Sequence, residues 1–337
     1  MKKNTAEIEL RKNFFSALKD AYPETPLALS DFKLIKTTHS WKSLAFIARC
    51  QIGKEYFSIF GARDLEDPLS KKKTFQILSY LWKNGFNRAP LFANEPIAFN
   101  IGLKLLIYKL FEGKTLLQII DKKKGKTPVR FIELVGQWAA AFHALKPPAF
   151  IPRSAGRLDR QEYRKQESMP ELSGARELGK KIIGERAGIR RRLKSLSIIH
   201  DDFHAQNIII SPDQKSIAII DFDKAKIDDP LDDVGEFLVR LDAQLFYLNA
   251  RAENIIKLQK TFVQAYQNKR SGSFSADEKK RIELHLRWTA LRLLQYTLET
   301  NYANRSHRHS SSKRLCAMED RFLNIALNPH KFLKPLL

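Results

Sequence analysis

Three short apolar runs lie close together in the second half of this 337-residue chain and enclose a polar stretch. The runs are Ser197–Ile199, Asn207–Ile210 and Ile217–Ile220, each with the length and composition of a buried strand. Residues 200–206 separate the first two runs, and Asp221 follows the third directly. A polar residue at the end of a buried strand is held rigidly. This segment therefore constrains the fold more than any other part of the sequence.

The order of the predicted elements indicates an α+β protein, because strands come first and helices dominate afterwards. Further strands are predicted at Phe32–Thr37, Leu44–Cys50, Tyr56–Ala62 and Leu103–Leu110. Helices are predicted at residues 6–20, Lys71–Asn84, Val129–Leu145 and from Pro230 to the end of the chain.

Composition limits the class of protein. No run reaches the roughly 18 apolar residues that a membrane span needs, and no signal peptide is visible. The two cysteines, Cys50 and Cys316, cannot form a disulfide framework, so a cytoplasmic location is expected. The net charge is +22, yet residues 201–250 carry 11 acidic and only 4 basic residues. Carboxylates that bind Mg²⁺ explain such an acidic segment, and the basic remainder favours an anionic surface or substrate.

Spacing within the polar stretch indicates the chemistry. Transfer of a phosphoryl group needs a carboxylate beside the attacking hydroxyl and two groups that bind Mg²⁺. A kinase catalytic loop places its Asp and Asn five residues apart, as Asp202 and Asn207 are, and a metal-binding Asp follows on a nearby hairpin. Asp221 is in the position of that second Asp. Each residue alone is usually structural, but the combination predicts a phosphotransfer site.

The same motifs resemble the aminoglycoside phosphotransferase and choline kinase superfamily. Residues 200–207 read His-Asp-Asp-Phe-His-Ala-Gln-Asn, residues 220–222 read Ile-Asp-Phe, and residues 229–233 read Asp-Pro-Leu-Asp-Asp. Upstream, residues 106–116 resemble the hinge of that family, and residues 136–145 resemble its long helix ending in Leu-His. The resemblance covers about residues 32–240.

The resemblance implies a bilobal protein-kinase-like fold with a small antiparallel-sheet N-lobe and a larger, mainly helical C-lobe. The expected division is an N-terminal helical extension (1–30), an N-lobe (31–108) and a C-lobe (109–337). The resemblance also implies ATP and Mg²⁺ as cofactors and a small-molecule acceptor. Its implied site residues are Asp202 as the catalytic carboxylate, His200 bracing the catalytic loop, Asn207 and Asp221 as Mg²⁺ ligands, and Tyr108 and Leu110 at the adenine.

The predicted N-lobe departs from the family. The turn at residues 37–43 has no glycine, although glycine lets a backbone approach phosphates closely. Ile59 is in the position of the family's strand lysine, and Lys71–Tyr80 offers no glutamate partner. Lys42 and Arg63 are the candidates to replace the missing cation near the phosphates.

Three functions therefore remain open from the sequence. The first is an active kinase, whose acceptor we expect to be neutral or anionic because residues 151–200 carry 13 basic and 6 acidic residues. The second is a pseudokinase that kept the fold as a binding or scaffold module. The third, based on charge alone, is a nucleic-acid-binding protein. The sequence does not predict an oligomeric state.

Overall fold

The computed structural model describes residues 12–19, 32–39, 43–52, 55–64, 67–122, 128–153, 175–193, 196–304 and 312–337. The chain forms two compact units. The first unit comprises Met1–Lys114 and Ile208–Asp223, and the second comprises Thr115–Asn207 and Lys224–Leu337. The segment Ile208–Asp223 therefore packs with residues that lie about a hundred positions earlier in the chain.

The first unit contains a five-stranded antiparallel sheet. Its strands are β1 (Phe32–His39), β2 (Ser43–Ile52), β3 (Glu55–Asp64), β6 (Pro96–Asn100) and β7 (Leu105–Lys109). They are arranged in the order β1-β2-β3-β7-β6. Ile52 pairs with Glu55, so β2 and β3 form the predicted hairpin.

One face of this sheet packs against helix α1, residues 12–19, which covers part of the helix predicted at 6–20. Phe14 and Leu18 of α1 join Phe46 and Ile59 in a single apolar cluster. The Phe14 and Phe46 rings meet edge to face at 5.7 Å. Gly61 makes this packing possible, since a Cβ there would lie 2.1 Å from the Phe46 ring.

Helix α2 (Pro68–Lys83) begins three residues before the predicted start at Lys71. The Asp67 side chain caps it by accepting the backbone N–H groups of Leu69 and Ser70 at 3.0 and 3.3 Å. Phe75 of α2 packs on Phe99 of the sheet, 6.3 Å between ring centroids. Phe99 alternates with Ala98, which faces the α1 cluster, so α2 covers the other face of the sheet.

A second sheet in the first unit holds the hairpin of the polar stretch. Its strands β4 (Asn87–Arg88), β5 (Leu91–Ala93), β10 (Ile208–Ile210) and β11 (Ile217–Ile219) are arranged as β4-β5-β11-β10. β5 runs parallel to β11, and β10 runs antiparallel to it. Sequence reasoning missed β4, β5 and β6, because these strands are two to five residues long and are separated by Pro90 and Pro96.

The second unit is mainly helical, as predicted. Its helices are α3 (Leu116–Lys122), α4 (Val129–His143), α5 (Ala175–Arg192), α6 (Leu231–Tyr247), α7 (Ala252–Lys269), α8 (Ala276–Asn304), α9 (Ser312–Leu327) and α10 (Pro329–Leu333). Strands β9 (Ser197–Ile199) and β12 (Lys226–Asp228) pair antiparallel. The short strand β8 (Lys114–Thr115) falls at the boundary between the two units.

An aromatic core packs against the loop formed by residues 200–207. Trp138 of α4 stacks on Phe203 at 6.1 Å, and Phe203 packs on Phe237 of α6 at 5.5 Å. Phe262 of α7 completes the row, 4.4 Å from Phe237. Phe203 is 1% exposed, so this residue anchors the loop in the core. The adjacent residues Asp202 and His204 are partly exposed.

Candidate functional site

Helix α6 holds the catalytic loop, residues 200–207, through the carboxylate of Asp233. This carboxylate accepts the backbone N–H groups of His200 at 2.8 Å and Asp201 at 2.9 Å. It also lies 2.9 Å from Nε2 of His143, at the end of α4. One turn later, Glu236 accepts the N–H of Phe203 at 3.0 Å. The loop backbone is therefore fixed before any ligand binds.

His200 lies fully inside the second unit, with no exposed surface. Its ring centroid is 6.0 Å from that of Phe203. A side chain in this position packs inside the loop, and the bracing role predicted for His200 stays a prediction.

Asp201 occupies the place of the glycine in the family motif, and its backbone shows why that glycine is usual. Its φ is +62°, in the left-handed region that Asp tolerates better than most side chains. Its carboxylate pairs with the buried Lys226 ammonium at 2.8 Å. Burial raises the pKa of Asp201 to about 6, although Lys226 acts to lower it.

Asp202 is surrounded by cationic groups. Nζ of Lys224 lies 2.8 Å from one carboxylate oxygen, and Nη2 of Arg240 and Nε2 of His204 lie 3.4 and 3.3 Å from the other. Partial burial raises the pKa of Asp202, but hydrogen bonds from His204 and Lys224 outweigh burial and hold that pKa below its usual range. The carboxylate is therefore ionised and can accept a hydrogen bond from a hydroxyl.

Asn207 is fixed by its own loop. Its side-chain amide donates to the backbone carbonyl of Asp202 at 3.0 Å. This bond orients the side chain and leaves its oxygen as the atom that can bind a cation. Asn207 immediately precedes Ile208, which pairs with Ile219, two residues before Asp221.

Asp221 follows β11 with a left-handed backbone, φ +66°. A non-glycine residue in this region is strained, and such residues concentrate at functional sites. Burial raises the pKa of the Tyr108 hydroxyl, and the carboxylates of Asp221 and Asp223 raise it further. These three side chains of the first unit are therefore close enough for their charges to interact.

The residues predicted at the adenine have specific partners. Tyr108 is partly buried, and its ring stacks on Phe60 at 5.0 Å. The backbone N–H of Leu110 donates to the carbonyl of Ser58 at 2.8 Å, so that amide is already occupied. A role for Tyr108 and Leu110 in nucleotide binding stays a prediction.

The structure does not bring Arg63 to the Tyr108 side of the sheet. Ile59 is fully buried in the α1 cluster, and strand alternation puts Arg63 on the same face as Ile59. Ser58 and Phe60 are the β3 residues that face the Tyr108 side, and neither is a cation. Lys42 lies outside the described residues.

Sequence reasoning missed the residues that contact Asp223. Lys71 forms an ion pair with the Asp223 carboxylate, and Thr74 donates to that carboxylate at 2.7 Å. Nζ of Lys73 donates to the Asp223 carbonyl at 2.6 Å. The sequence signal for these contacts is the run Lys71-Lys72-Lys73. The sequence interpretation considered this helix only as the source of a glutamate partner.

A cavity of about 310 Å³ in the second unit lies beside Asp202. Arg240 and His204 line the cavity and also contact the Asp202 carboxylate. The remaining described lining residues are polar or apolar and uncharged. They are Leu117, Ala205, Gln206, Ala243, Gln244, Tyr247, Leu293, Thr297, Met318 and Phe322.

A larger cavity, about 740 Å³, lies elsewhere in the second unit. Residues from α5 and α8 line it, together with the α9 end, and no residue of the catalytic loop does. Of these two cavities, the smaller one lies beside the Asp202 carboxylate, which Arg240 and His204 of its lining contact.

Comparison with known proteins defines the class. The model of the phosphotransferase enzyme family matches residues 57–273. The chain belongs to this family, and the prediction of a small-molecule kinase is confirmed at that level. None of the curated proteins matches the sequence.

Solved structures share the fold at low identity. A choline kinase from Cryptosporidium parvum Iowa II is 14% identical with a TM-score of 0.58, covering 92% of this chain and 93% of that one. A choline/ethanolamine kinase family protein from Mesorhizobium loti is 15% identical with a TM-score of 0.57, covering 90% of each chain. An aminoglycoside-3'-phosphotransferase of type VIII is 15% identical with a TM-score of 0.51, covering 80% and 96%. The predicted protein-kinase-like fold is confirmed.

None of the described helices is long and apolar enough to cross a membrane. Within the same residues, no group of three or more His, Cys, Asp or Glu is arranged to hold a metal ion.

Proposed function

We propose that this phosphotransferase transfers the terminal phosphoryl group of ATP, with Mg²⁺, to a hydroxyl of a neutral or anionic small molecule. The observation that carries the proposal is the environment of Asp202. An ionised carboxylate adjoins a small-molecule-sized cavity and sits on a loop whose backbone is held by Asp233 and Glu236.

Asp202 would accept the hydrogen bond of the acceptor hydroxyl and orient its oxygen. This carboxylate accepts hydrogen bonds from Lys224 and Arg240. Lys224 is half-exposed, so it can move away when a hydroxyl arrives. A low pKa makes Asp202 a weak base, so its main contribution is orientation, with proton transfer late in the reaction.

Asn207 and Asp221 would hold Mg²⁺. An amide oxygen and a carboxylate are the hard donors that Mg²⁺ prefers when phosphates and water supply its other ligands. The register of the β10–β11 hairpin supports this pairing, since one residue enters and the other leaves the same end of the hairpin. Bound ATP and Mg²⁺ would supply the phosphoryl group to be transferred and neutralise its charge.

The charge of the cavity supports a neutral or anionic acceptor. Arg240 and His204 are the only described lining residues that can carry charge, and both can be positive. A polycation would meet repulsion there, whereas a sugar, a sugar phosphate or a lipid headgroup would not. One structural relative is an aminoglycoside phosphotransferase, but this lining does not favour that class of acceptor here.

A pseudokinase is the second candidate, favoured by two specific observations in the first unit. The β3 residues that face Tyr108 include no cation, and the Leu110 amide is already hydrogen-bonded to Ser58. A protein that only binds would tolerate both features.

A screen of ATP consumption tests the proposal. Purified protein with Mg²⁺ would be assayed against sugars, sugar phosphates, amino alcohols, nucleosides and aminoglycosides, with the Asp202→Asn variant as background control. We expect turnover with a neutral or anionic acceptor and none with aminoglycosides. Turnover with an aminoglycoside that disappears in the variant would refute the acceptor class. No turnover with any class would favour the pseudokinase.

A further inference from the structure

The start of helix α2 carries three consecutive lysines, and their side chains differ in what they contact. Lys71 is largely buried, 12% exposed, and its ammonium pairs with the Asp223 carboxylate. Lys73 donates to the Asp223 carbonyl at 2.6 Å, and Thr74 donates to the carboxylate at 2.7 Å. Lys72, between them, is exposed. Two of the three lysines are therefore committed to one acidic residue that follows β11.

Asp223 lies beside the candidate metal ligand. It comes two residues after Asp221, and both carboxylates act on the Tyr108 hydroxyl. The Lys71 ammonium is consequently on the Tyr108 side of the first unit, where the sheet itself supplies no cation from β3.

A buried polar atom points to a ligand at the same place. Asn94 is 3% exposed, and its side chain hydrogen-bonds the Tyr108 hydroxyl, while its side-chain oxygen has no hydrogen-bond partner among the described residues. Asn94 directly follows β5, which runs parallel to β11 with Ala93 opposite Ile219. The carboxyl ends of parallel strands meet at one edge, so Asn94 and Asp221 lie at the same edge of the sheet. A buried amide oxygen is costly without a partner, and a donor group or a cation that arrives with the nucleotide would satisfy it, whereas a phosphate oxygen would not.

We propose that Lys71 is the cation that contacts the nucleotide phosphates, in place of the missing strand lysine, and that Asp223 holds it when no nucleotide is bound. The inference rests on the proposed function and adds a residue to it. The resemblance implies a lysine on the strand and an acid on the helix, whereas here the lysine is on the helix and the acid follows the strand. Lys73 and Thr74 would keep Asp223 in place while Lys71 changes partner.

Charge and flexibility make this exchange feasible. Lysine carries its charge on a flexible four-carbon stem, so its ammonium can move between acceptors without moving the helix. A triphosphate carries more negative charge than one carboxylate and offers several oxygens, so it should compete well for the ammonium.

The test is nucleotide binding by calorimetry, which needs no acceptor and no turnover. Wild type, Lys71→Met, Lys71→Arg and the matched control Lys72→Met would be titrated with ATP, ADP and adenosine. We expect Lys71→Met to weaken ATP binding by about tenfold to a hundredfold, the usual loss for a hydrogen bond to a charged group. Adenosine binding should not change, because adenosine lacks phosphates. Lys71→Arg should recover most of the ATP affinity, and Lys72→Met should resemble wild type.

The outcomes separate the two ideas. If wild type and Lys71→Met bind ATP equally well, Lys71 is not the phosphate contact, while the proposed function stands. If wild type binds no ATP at all, both the proposed function and this inference are overturned. Equal losses for ATP and adenosine in Lys71→Met would show a structural role only and would also refute the inference. Circular dichroism melts would check that each variant is folded, and Lys71→Arg keeps the test decisive if Lys71→Met is not.

Discussion

The catalytic loop and the start of helix α2 both hold charged or polar side chains in place, but they do so in different ways. In the loop, helix α6 fixes the backbone through Asp233 and Glu236, and the spacing of the family motif is intact. In the first unit, the described residues of β3 supply no cation on the Tyr108 side, and Lys71 of α2 pairs with Asp223 there. A loop whose backbone is held by several side chains tolerates few changes of those side chains, because each change would break a hydrogen bond. A single long cation, by contrast, can be supplied from another element if its charge reaches the same place.

The largest expected effect tests the catalytic loop in this comparison. Asp202→Asn keeps the shape of the side chain but removes the negative charge that orients the acceptor hydroxyl. We expect turnover on an identified substrate to fall by about two to four decades, with ATP affinity nearly unchanged. Steady-state kinetics and calorimetry would measure the two quantities. Near-wild-type turnover would show that Asp202 is not the catalytic carboxylate.

The second prediction concerns the tether of the loop. Asp233→Ala would leave two buried backbone N–H groups and the His143 ring without their acceptor. We expect a loss of about 3–5 kcal/mol in the free energy of unfolding, measured by urea denaturation. Asp233→Asn keeps one acceptor oxygen and should lose less. Equal stability of wild type and Asp233→Ala would mean that the loop is held by other contacts.

Part of this site could be predicted from sequence because it depends on local spacing. Asp202 and Asn207 are five residues apart, and the hairpin that follows brings Asp221 back to the same end. The partnership of Lys71 with Asp223 could not be predicted in that way. It joins positions 152 residues apart, and strands β4 and β5, which shape that part of the unit, are too short to leave a pattern.

The backbone conformation of Asp201 could not be predicted from the sequence either. Asp201 looked like a departure from the family glycine, yet its φ of +62° shows that the left-handed turn is retained. Its pairing with Lys226 depends on β12 lying beside β9, which is a tertiary contact. Replacing a motif residue therefore does not by itself mean that the motif's conformation is lost.

The third prediction concerns a group of buried charged side chains at the start of α6. His285 of α8 lies 3.0 Å from Asp229 and 3.1 Å from Asp232. Burial lowers the pKa of His285, but these carboxylates outweigh burial and raise it to about 9, compared with 6.5 ordinarily. Because the folded pKa is the higher one, the contribution of the protonated ring is fully present below pH 6.5. It is lost as the pH rises through about 9.

The expected size of this effect is at most about 3 kcal/mol, from the difference between the two pKa values. Urea denaturation at intervals between pH 6 and pH 9.5 would measure it. His285→Gln should show a much flatter profile over that range. A wild-type profile as flat as that of the variant would mean that the ring is neutral in the folded protein.

The smallest expected effect concerns Asp221, the proposed Mg²⁺ ligand that follows β11. With ATP at about ten times its Kd, ligand binding stabilises a protein by about 1.4 kcal/mol. In Asp221→Ala we expect the Mg²⁺-dependent part of the ATP-induced increase in Tm to disappear, while any increase with ATP alone remains.

Asp213 provides the matched control, because it lies at the exposed turn of the same hairpin and its carboxylate hydrogen-bonds Ser211 and Lys215 there. If Asp213→Ala and Asp221→Ala responded alike to Mg²⁺ and ATP, the metal would not bind at Asp221. If Asp221→Ala also lost the response to ATP alone, its role would lie in the strained backbone that positions Asp223 and Lys71.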